Sequence, residues 1–238
     1  MHLYLKIEEY IKNLIENGAL NEGDCIPIET DLSIQFNVSR PTVRQAMSNL
    51  VNKGYITRVK GRGSFVSKPK ITQEYTKYIE SYNVEMQKKG LVPKTIVIEF
   101  KVIKADAWVA DKLKIAQKEK VIYLKRLRYA LGAFDEKPVL LTSVYIPFKT
   151  IPNLMDYDFE SFSLYEALEL NHQLPQKVVR ELNASIAPKE ISALLEIGEN
   201  SPVQFITSTG FLSNGEIIEY SESYYPSARN RFVIEIIK

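Results

Sequence analysis

Residues 37–66 read NVSRPTVRQAMSNLVNKGYITRVKGRGSFV, and the first half of this stretch is patterned as a capped helix. Asn37-Val38-Ser39 makes a turn, Ser39 stands at the capping position, and Pro41 falls in the first turn, where its missing N–H costs no hydrogen bond. Val43, Ala46, Met47 and Leu50 then recur on one helical face, leaving Arg40, Thr42 and Arg44 off the apolar stripe. Upstream, Pro27 to Phe36 reads as a short helix with Glu29 and Asp31 in its first turn, where the helix dipole favours acids. Two short helices joined by a tight turn, the second opening with arginines, make a helix-turn-helix whose second helix can enter a major groove. The second half of the stretch predicts a two-stranded wing: Tyr55 to Lys60 alternates as a strand, Gly61-Arg62-Gly63 turns, and Ser64 to Ser67 returns. Glycines on both sides of Arg62 permit positive φ and close backbone approach, so Arg62 projects from the tip toward a narrow minor groove. They would turn a hairpin in any protein, and their meaning comes from following this helix-turn-helix.

Toward the N-terminus, Leu3, Ile7, Ile11, Leu14 and Ile15 repeat at the period of a surface helix, with Gly18 as its stop. The acids of this segment are Glu8, Glu9, Glu16, Glu22, Asp24, Glu29 and Asp31; Leu32 to Gln73 contains none, while Arg40, Arg44, Lys53, Arg58, Lys60, Arg62, Lys68 and Lys70 accumulate there. A run of charge is ordinarily a solvated face, but this one spans two helical segments and a glycine-bounded turn, which points to a polyanion surface. It is a local footprint, because the whole chain of 238 residues carries 31 basic and 29 acidic residues, a net of only +2. The 45% hydrophobic and 25% charged fractions are those of a folded globular chain and argue against disorder, and the length suits two domains. One cysteine, Cys25, allows no internal disulfide, and with His2 and His172 it is too little for a zinc site; no metal is expected. The absence of a long apolar run or a signal-like start leaves no membrane partner and makes the cytoplasm the natural compartment.

Ser67-Lys68-Pro69-Lys70 reads as the start of a linker. The chain therefore divides into residues 1–68 as the basic domain, 69–78 as linker and 79–238 as a second domain. In the latter, strands are expected at Thr95–Ile103, Val121–Tyr129, Val139–Ile146, Lys177–Ile186, Val203–Thr209, Ile217–Tyr225 and Phe232–Ile237. Helices are expected at Tyr75–Lys88, Ala105–Leu113, Leu164–Asn171 and Lys189–Leu195. This is no regular strand-helix-strand series, so the class is α+β with an antiparallel sheet, and no glycine signature supports a nucleotide fold. Arg126 and Arg128 alternate along one strand and share a face, where two half-buried cations call for a phosphate or carboxylate. Pairing with internal acids such as Glu181 or Glu219 is the other reading. Ser81, Asn83 and Ser163, near helix starts, offer hydroxyl and backbone donors to an anion. Glu219 and Tyr225 are candidate polar walls, although a strand tyrosine also serves as packing.

The residues Leu3-Tyr4-Ile7, Gly23-Asp24-Ile26-Pro27-Glu29-Leu32, Val38-Ser39-Arg40, Thr42-Val43-Arg44-Ala46, Leu50, Gly54-Tyr55-Ile56 and Gly61-Arg62-Gly63-Ser64-Phe65-Val66 resemble the winged helix of the GntR family of bacterial transcription regulators. The resemblance implies that Arg40 and Arg44 are recognition-helix arginines, that Ser39 and Thr42 contact the DNA backbone, and that Gly61, Arg62 and Gly63 form the wing tip. Thr30 stands where the family often has a DNA-contacting arginine. An arginine can make two parallel bonds to a guanine edge, whereas Arg58, Lys60 and Lys53 suit phosphates.

The phrases Arg126-Leu127-Arg128, Lys137-Pro138, Tyr145-Ile146-Pro147, Ser163-Leu164-Tyr165, and Glu219-Tyr220 through Tyr224-Tyr225 to Arg231-Phe232 resemble the UTRA effector domain, the mark of the HutC subfamily. The resemblance implies a fold similar to chorismate lyase, a cleft for a small-molecule effector such as a sugar phosphate, an amine or an amino-acid derivative, and no cofactor. It places phosphate contacts at Asn83, Arg126, Arg128 and Ser163. Thr142 stands where relatives tend to have a glutamate, five residues before Pro147, and the loop Leu131 to Glu136 is longer than usual, so the sugar-facing half of the pocket is left unassigned.

The function this defines is a DNA-binding transcription regulator, a repressor, with effector-tuned affinity for a double-stranded operator. A single short recognition helix reads few base pairs, so a homodimer on a two-half-site operator is expected, joined through the C-terminal sheet. Effector binding would reorient the sensor domains, with the segment Ser67 to Tyr78 transmitting the change. Two other classes stay open: a lyase-like enzyme, against which no paired nucleophile and base is found and His172 stands isolated, and a ligand-independent DNA-binding protein.

Overall fold

The structure of the chain is a computed structural model that describes residues 3–16, 19–52, 55–67, 70–73, 81–131 and 137–234. Lys53, Gly54, Gly18, Lys68 and Pro69 lie outside the described residues. Backbone proximity divides the chain into Met1–Ile71 and Thr72–Lys238.

The first unit contains α1 (Leu3–Glu16), α2 (Glu29–Phe36), α3 (Arg40–Asn52), β1 (Ile56–Val59) and β2 (Gly63–Val66). Its core is made by Ile7 and Ile11 of α1, Leu32 of α2, Val43, Ala46, Met47 and Leu50 of α3, with Ile56 and Val66 closing it from the strands. The four residues expected on the buried face of the third helix are the four buried there. Leu3, expected on the apolar stripe of α1, is half exposed. Asn37 terminates α2 in the left-handed region at φ 50°, a conformation asparagine tolerates well. The Ser33 hydroxyl then donates to the Val38 carbonyl at 2.6 Å and ties the turn into α3.

In the second unit β4 (Val92–Lys104), β5 (Lys120–Leu131), β6 (Pro138–Pro147), β7 (Lys177–Ile186), β8 (Pro202–Phe211) and β9 (Ile217–Pro226) form one antiparallel sheet in the order β4-β5-β6-β9-β8-β7. The short helices are α4 (Tyr82–Lys88), α5 (Ala107–Leu113), α6 (Leu164–Leu170) and α7 (Lys189–Leu194). Alternation along each strand separates the faces. Ile122, Leu124, Val144 and Ile146 pack under Leu154, Phe159, Leu164 and Leu168. On the other face Val121 and Tyr220 meet Val109 and Leu113 of α5, while Leu127 and Leu141 meet Leu195.

Four departures from expectation have local causes. The helix expected from Tyr75 is described only from Tyr82, where the Ser81 hydroxyl caps it by accepting from the Val84 N–H at 3.3 Å; residues 74–80 lie outside the description. The helix after Ile103 begins at Ala107 because the Asp106 carboxylate accepts the Val109 N–H at 2.8 Å. Within the expected linker, β3 (Ile71–Gln73) is a strand, and it pairs with β10 (Asn230–Phe232). The final strand, expected over Phe232–Ile237, ends at Phe232 because its partner is three residues long; residues 235–238 are not described.

Candidate functional site

The first unit exposes its cationic side chains on α3 and on the wing. Ser39 directly precedes α3, and its hydroxyl lies 2.9 Å from that of Thr42. Burial of Val43, Ala46, Met47 and Leu50 turns Arg40 and Arg44 to solvent. Thr30, half-buried, is the second residue of α2. Arg58, Lys60, Gly61, Arg62 and Gly63 are all exposed on the wing. Gly61 and Gly63 hold φ values of +75° and +118°, and the Arg62 N–H closes the turn onto the Val59 carbonyl at 3.0 Å. The Arg62 guanidinium does not extend free from the tip; it lies 5.7 Å from the centre of the Phe65 ring, a cation–π distance.

Sequence reasoning missed one residue beside these cations. Glu29, at the first position of α2, accepts from Arg44 Nε at 2.9 Å and from Arg58 Nη2 at 3.3 Å. The helix dipole accounted for that acid too readily; its place at the border of an acid-free cationic window was the available signal. Arg40 and Lys60 have no ion pair among the described residues.

The second unit holds a polar cavity, partly open to solvent, of about 90 Å³, room for a few waters or a small anion at its floor. Strand alternation and register build its floor. Arg126 sits opposite Thr142, Thr142 opposite Ser223, and Ser223 opposite Ile206, while the adjacent row runs Val144, Ser221, Ser208, Arg180. Ser81, Arg128, Ser163, Glu219 and Tyr225 also line the cavity, together with Tyr82 and Tyr165. Seven of the eight expected effector residues therefore line one cavity. The exception is Asn83, half-buried one residue into α4 and not part of the lining. Ser208, Ser221, Ser223 and Arg180 were not anticipated, because serine on an alternating strand reads as a solvent face.

The cavity contains two buried arginines and one buried carboxylate. Arg126 is 3% exposed, its Nε has no hydrogen-bond partner among the described residues, and its guanidinium lies 5.8 Å from the Phe159 ring centre. Burial and then the charge of Arg128 hold its affinity for a proton well below the usual arginine range. Arg128 donates to Thr95 Oγ1 at 3.2 Å and stacks over Tyr82 at 4.8 Å. Burial pushes the Glu219 carboxyl up, against the Tyr165 hydroxyl that donates to it at 2.6 Å and the charges of Arg180 and Arg126. No direct ion pair joins Glu219 to either expected arginine among the described residues. Glu181 is exposed, one residue along β7 from cavity-facing Arg180 and so on the opposite face, which removes it as a partner for them. Gly210, opposite Glu219, makes room: a Cβ there would lie 2.7 Å from Glu219 Cγ.

A basic winged helix joined to a sheet domain with a charged internal cavity defines a ligand-responsive DNA-binding regulator. Residues 3–66 match the model of the bacterial regulatory proteins, gntR family, and residues 88–231 match the UTRA domain. The chain is 34% identical over 232 residues to the HTH-type transcriptional repressor NagR of Bacillus subtilis (strain 168), covering 97% of this chain and 93% of that protein. It is 27% identical to the mannosyl-D-glycerate transport/metabolism system repressor MngR of Escherichia coli (strain K12), covering 98% and 95%. In fold it resembles the crystal structure of PhnF from Mycobacterium smegmatis, with a TM-score of 0.83, 24% identity, and coverage of 99% of this chain and 100% of that one. The chain belongs to the GntR family, in its HutC subfamily with a UTRA domain. It is a DNA-binding transcription regulator and not an enzyme, and its UTRA domain is an effector-binding domain. Among the described residues no helix is long and apolar enough to cross a membrane.

Proposed function

We propose that this regulator is a cytoplasmic homodimeric repressor that reads a two-half-site operator with Arg40 and Arg44, and that a small anionic metabolite in the cavity tunes its hold on DNA. The observation that carries the effector reading is Arg126, a buried cation whose Nε has no partner, beside a second buried arginine. A buried charge is costly unless it is paired, and an anion with at least two oxygens would supply what the protein does not. Ser81 and Ser163 border the same space, and Glu219 with three serines offers acceptors and donors to a polyol or amine beyond it. A sugar phosphate has both halves of that chemistry, and the sugar-related name of the MngR repressor supports a carbohydrate effector.

Residues 69–78 are proposed as the connecting segment. Tyr225, in the cavity wall, meets Phe232 edge-on at 5.1 Å. Phe232 belongs to β10, which pairs with β3 in that segment. Gln73 Nε2 donates to Asn230 Oδ1 at 2.8 Å, and Asn230 Nδ2 donates to the carbonyls of Val139 and Pro226 at 2.8 and 3.1 Å. A shift of Tyr225 on binding thus reaches β3 through buried hydrogen bonds rather than through solvent.

The test is selection of tight sites from random duplex DNA by the full-length protein. The winner is then titrated with and without inorganic phosphate and a panel of phosphorylated sugars. A two-half-site duplex should emerge, and at least one anion should change its affinity about 5- to 150-fold, a coupling of about 1–3 kcal/mol. The same anion should raise the Tm of the wild type and leave Arg126→Met unmoved. Anions that alter neither Tm nor DNA affinity would overturn the reading of the cavity as an anion site.

A further inference from the structure

Glu29 runs against the electrostatics of its surroundings. It lies on the face that meets a polyanion, where a carboxylate repels every phosphate, and its ion pairs are too exposed to stabilise the fold appreciably: the side chains of Arg44, Arg58 and Glu29 keep 63%, 45% and 32% of their surface. What it changes is the state of the two arginines. One carboxylate bridges the recognition helix and the wing, its Oε2 taking Arg44 Nε at 2.9 Å and its Oε1 taking Arg58 Nη2 at 3.3 Å.

The choice of nitrogen matters. A guanidinium carries five N–H donors in a rigid plane, so fixing Nε fixes the direction of the rest. With Nε committed to Glu29, the Nη1 and Nη2 donors of Arg44 have no acceptor among the described residues and remain for a ligand. Paired donors of that kind match O6 and N7 of a guanine. Arg58, whose position on β1 suits a phosphate, is held back by the other oxygen of the same carboxylate. Lys60, with no such ion pair among the described residues, supplies attraction that does not depend on sequence.

We propose that Glu29 is the specificity-positioning residue of the DNA interface: it aims Arg44 at a base and, by tethering Arg58 and adding negative charge, weakens attachment to phosphates that carry no sequence information. This rests on the reading of Arg44 as a base-contacting residue. Discrimination then comes partly from a built-in penalty against the wrong partner, as specificity often does.

The experiment compares full-length wild type, Glu29→Gln, Glu29→Ala, Arg44→Ala and the Glu29→Ala/Arg44→Ala double variant. Two probes are used at several salt concentrations: a duplex enriched from a random pool by the wild type, and a shuffled duplex of the same composition. For Glu29→Gln the shuffled duplex should bind several-fold more tightly, with the log–log salt slope steeper by about 0.9 for each newly engaged phosphate. Preference for the enriched duplex should fall roughly tenfold, and further for Glu29→Ala, which also loses the acceptor oxygen. The double variant should discriminate no worse than Arg44→Ala alone. Parallel gains on both probes, with the preference intact, would mean the carboxylate only repels DNA and would overturn the proposal. Parallel losses accompanied by a lower Tm would make it a structural residue and overturn it equally. If Arg44→Ala itself keeps the preference, the base-reading assignment fails; if Arg44→Ala loses it and Glu29→Ala does not, only the role of Glu29 fails.

Discussion

Arg44, on the recognition helix, keeps 63% of its side chain in solvent and still finds a carboxylate, whereas Arg126, in the middle of a sheet, is 3% exposed and its Nε finds no partner. The exposed cation is already solvated and needs no partner, so its tether to Glu29 does something other than stabilise. The buried cation has lost its water, and among the described residues its guanidinium meets an aromatic ring and the charge of a carboxylate while its Nε goes unpartnered. One arrangement suits a surface that must stay available to a large, densely charged ligand. The other suits a buried charge whose energy is completed by a small ligand, at the expense of the empty protein's stability.

Removing each charge while keeping its bulk should separate the two regions by the largest margin. Arg126→Met should stabilise the ligand-free protein by about 1–4 kcal/mol, as replacing buried charge with apolar volume does. At roughly 2–4 °C per kcal/mol for a domain of this size, that is visible in a thermal melt. Arg44→Met should leave the melt within about 0.5 kcal/mol of wild type, as surface changes do. Equal effects would erase the distinction between the two regions.

Two glycines differ in the same way by a smaller margin. Gly210→Ala puts a methyl 2.7 Å from Glu219 Cγ and 3.1 Å from Pro175 Cγ, an overpacking expected to cost about 1–3 kcal/mol and to blunt any phosphate-induced rise in Tm. Gly61→Ala meets nothing within 4 Å and carries only the strain of φ +75°, about 1 kcal/mol, in the same melts. The smallest effect belongs to Lys60→Ala. Affinity for operator and for random DNA should fall alike, the log–log salt slope should lose about 0.9, and the melt should not move. A selective loss of operator binding would show that Lys60 reads bases.

The first unit was the more legible of the two. Its helices announce themselves by apolar residues three and four apart, and Val43, Ala46, Met47 and Leu50 are buried because those residues share a face in any helix. Glu29 escaped notice because its partners, Arg44 and Arg58, lie 15 and 29 residues away, beyond any helical or strand period. In the second unit β7 runs from Lys177 to Ile186, as its composition predicted, yet nothing in that segment says that Arg180 faces a cavity while Glu181 faces solvent. The short strand β3 was hidden for a related reason: three residues of linker become a strand only when Asn230–Phe232 comes beside them.

The chain's local periodicities, its turn residues and its acid-free window from Leu32 to Gln73 determined by themselves that a cationic winged helix precedes an antiparallel α+β domain, since contacts between near neighbours in sequence follow from backbone geometry. They also placed Arg126 and Arg128 on one face of one strand. What shares that face follows from packing between strands distant in sequence. The strand order β5-β6-β9-β8-β7 brings Thr142, Ser223, Ser221 and Arg180 into one cavity with them, and that order is set by which apolar faces bury each other across the whole domain. Whether a charge is open to water or sealed from it is a property of that packing, and it separates the arginines of the winged helix from the arginines of the cavity.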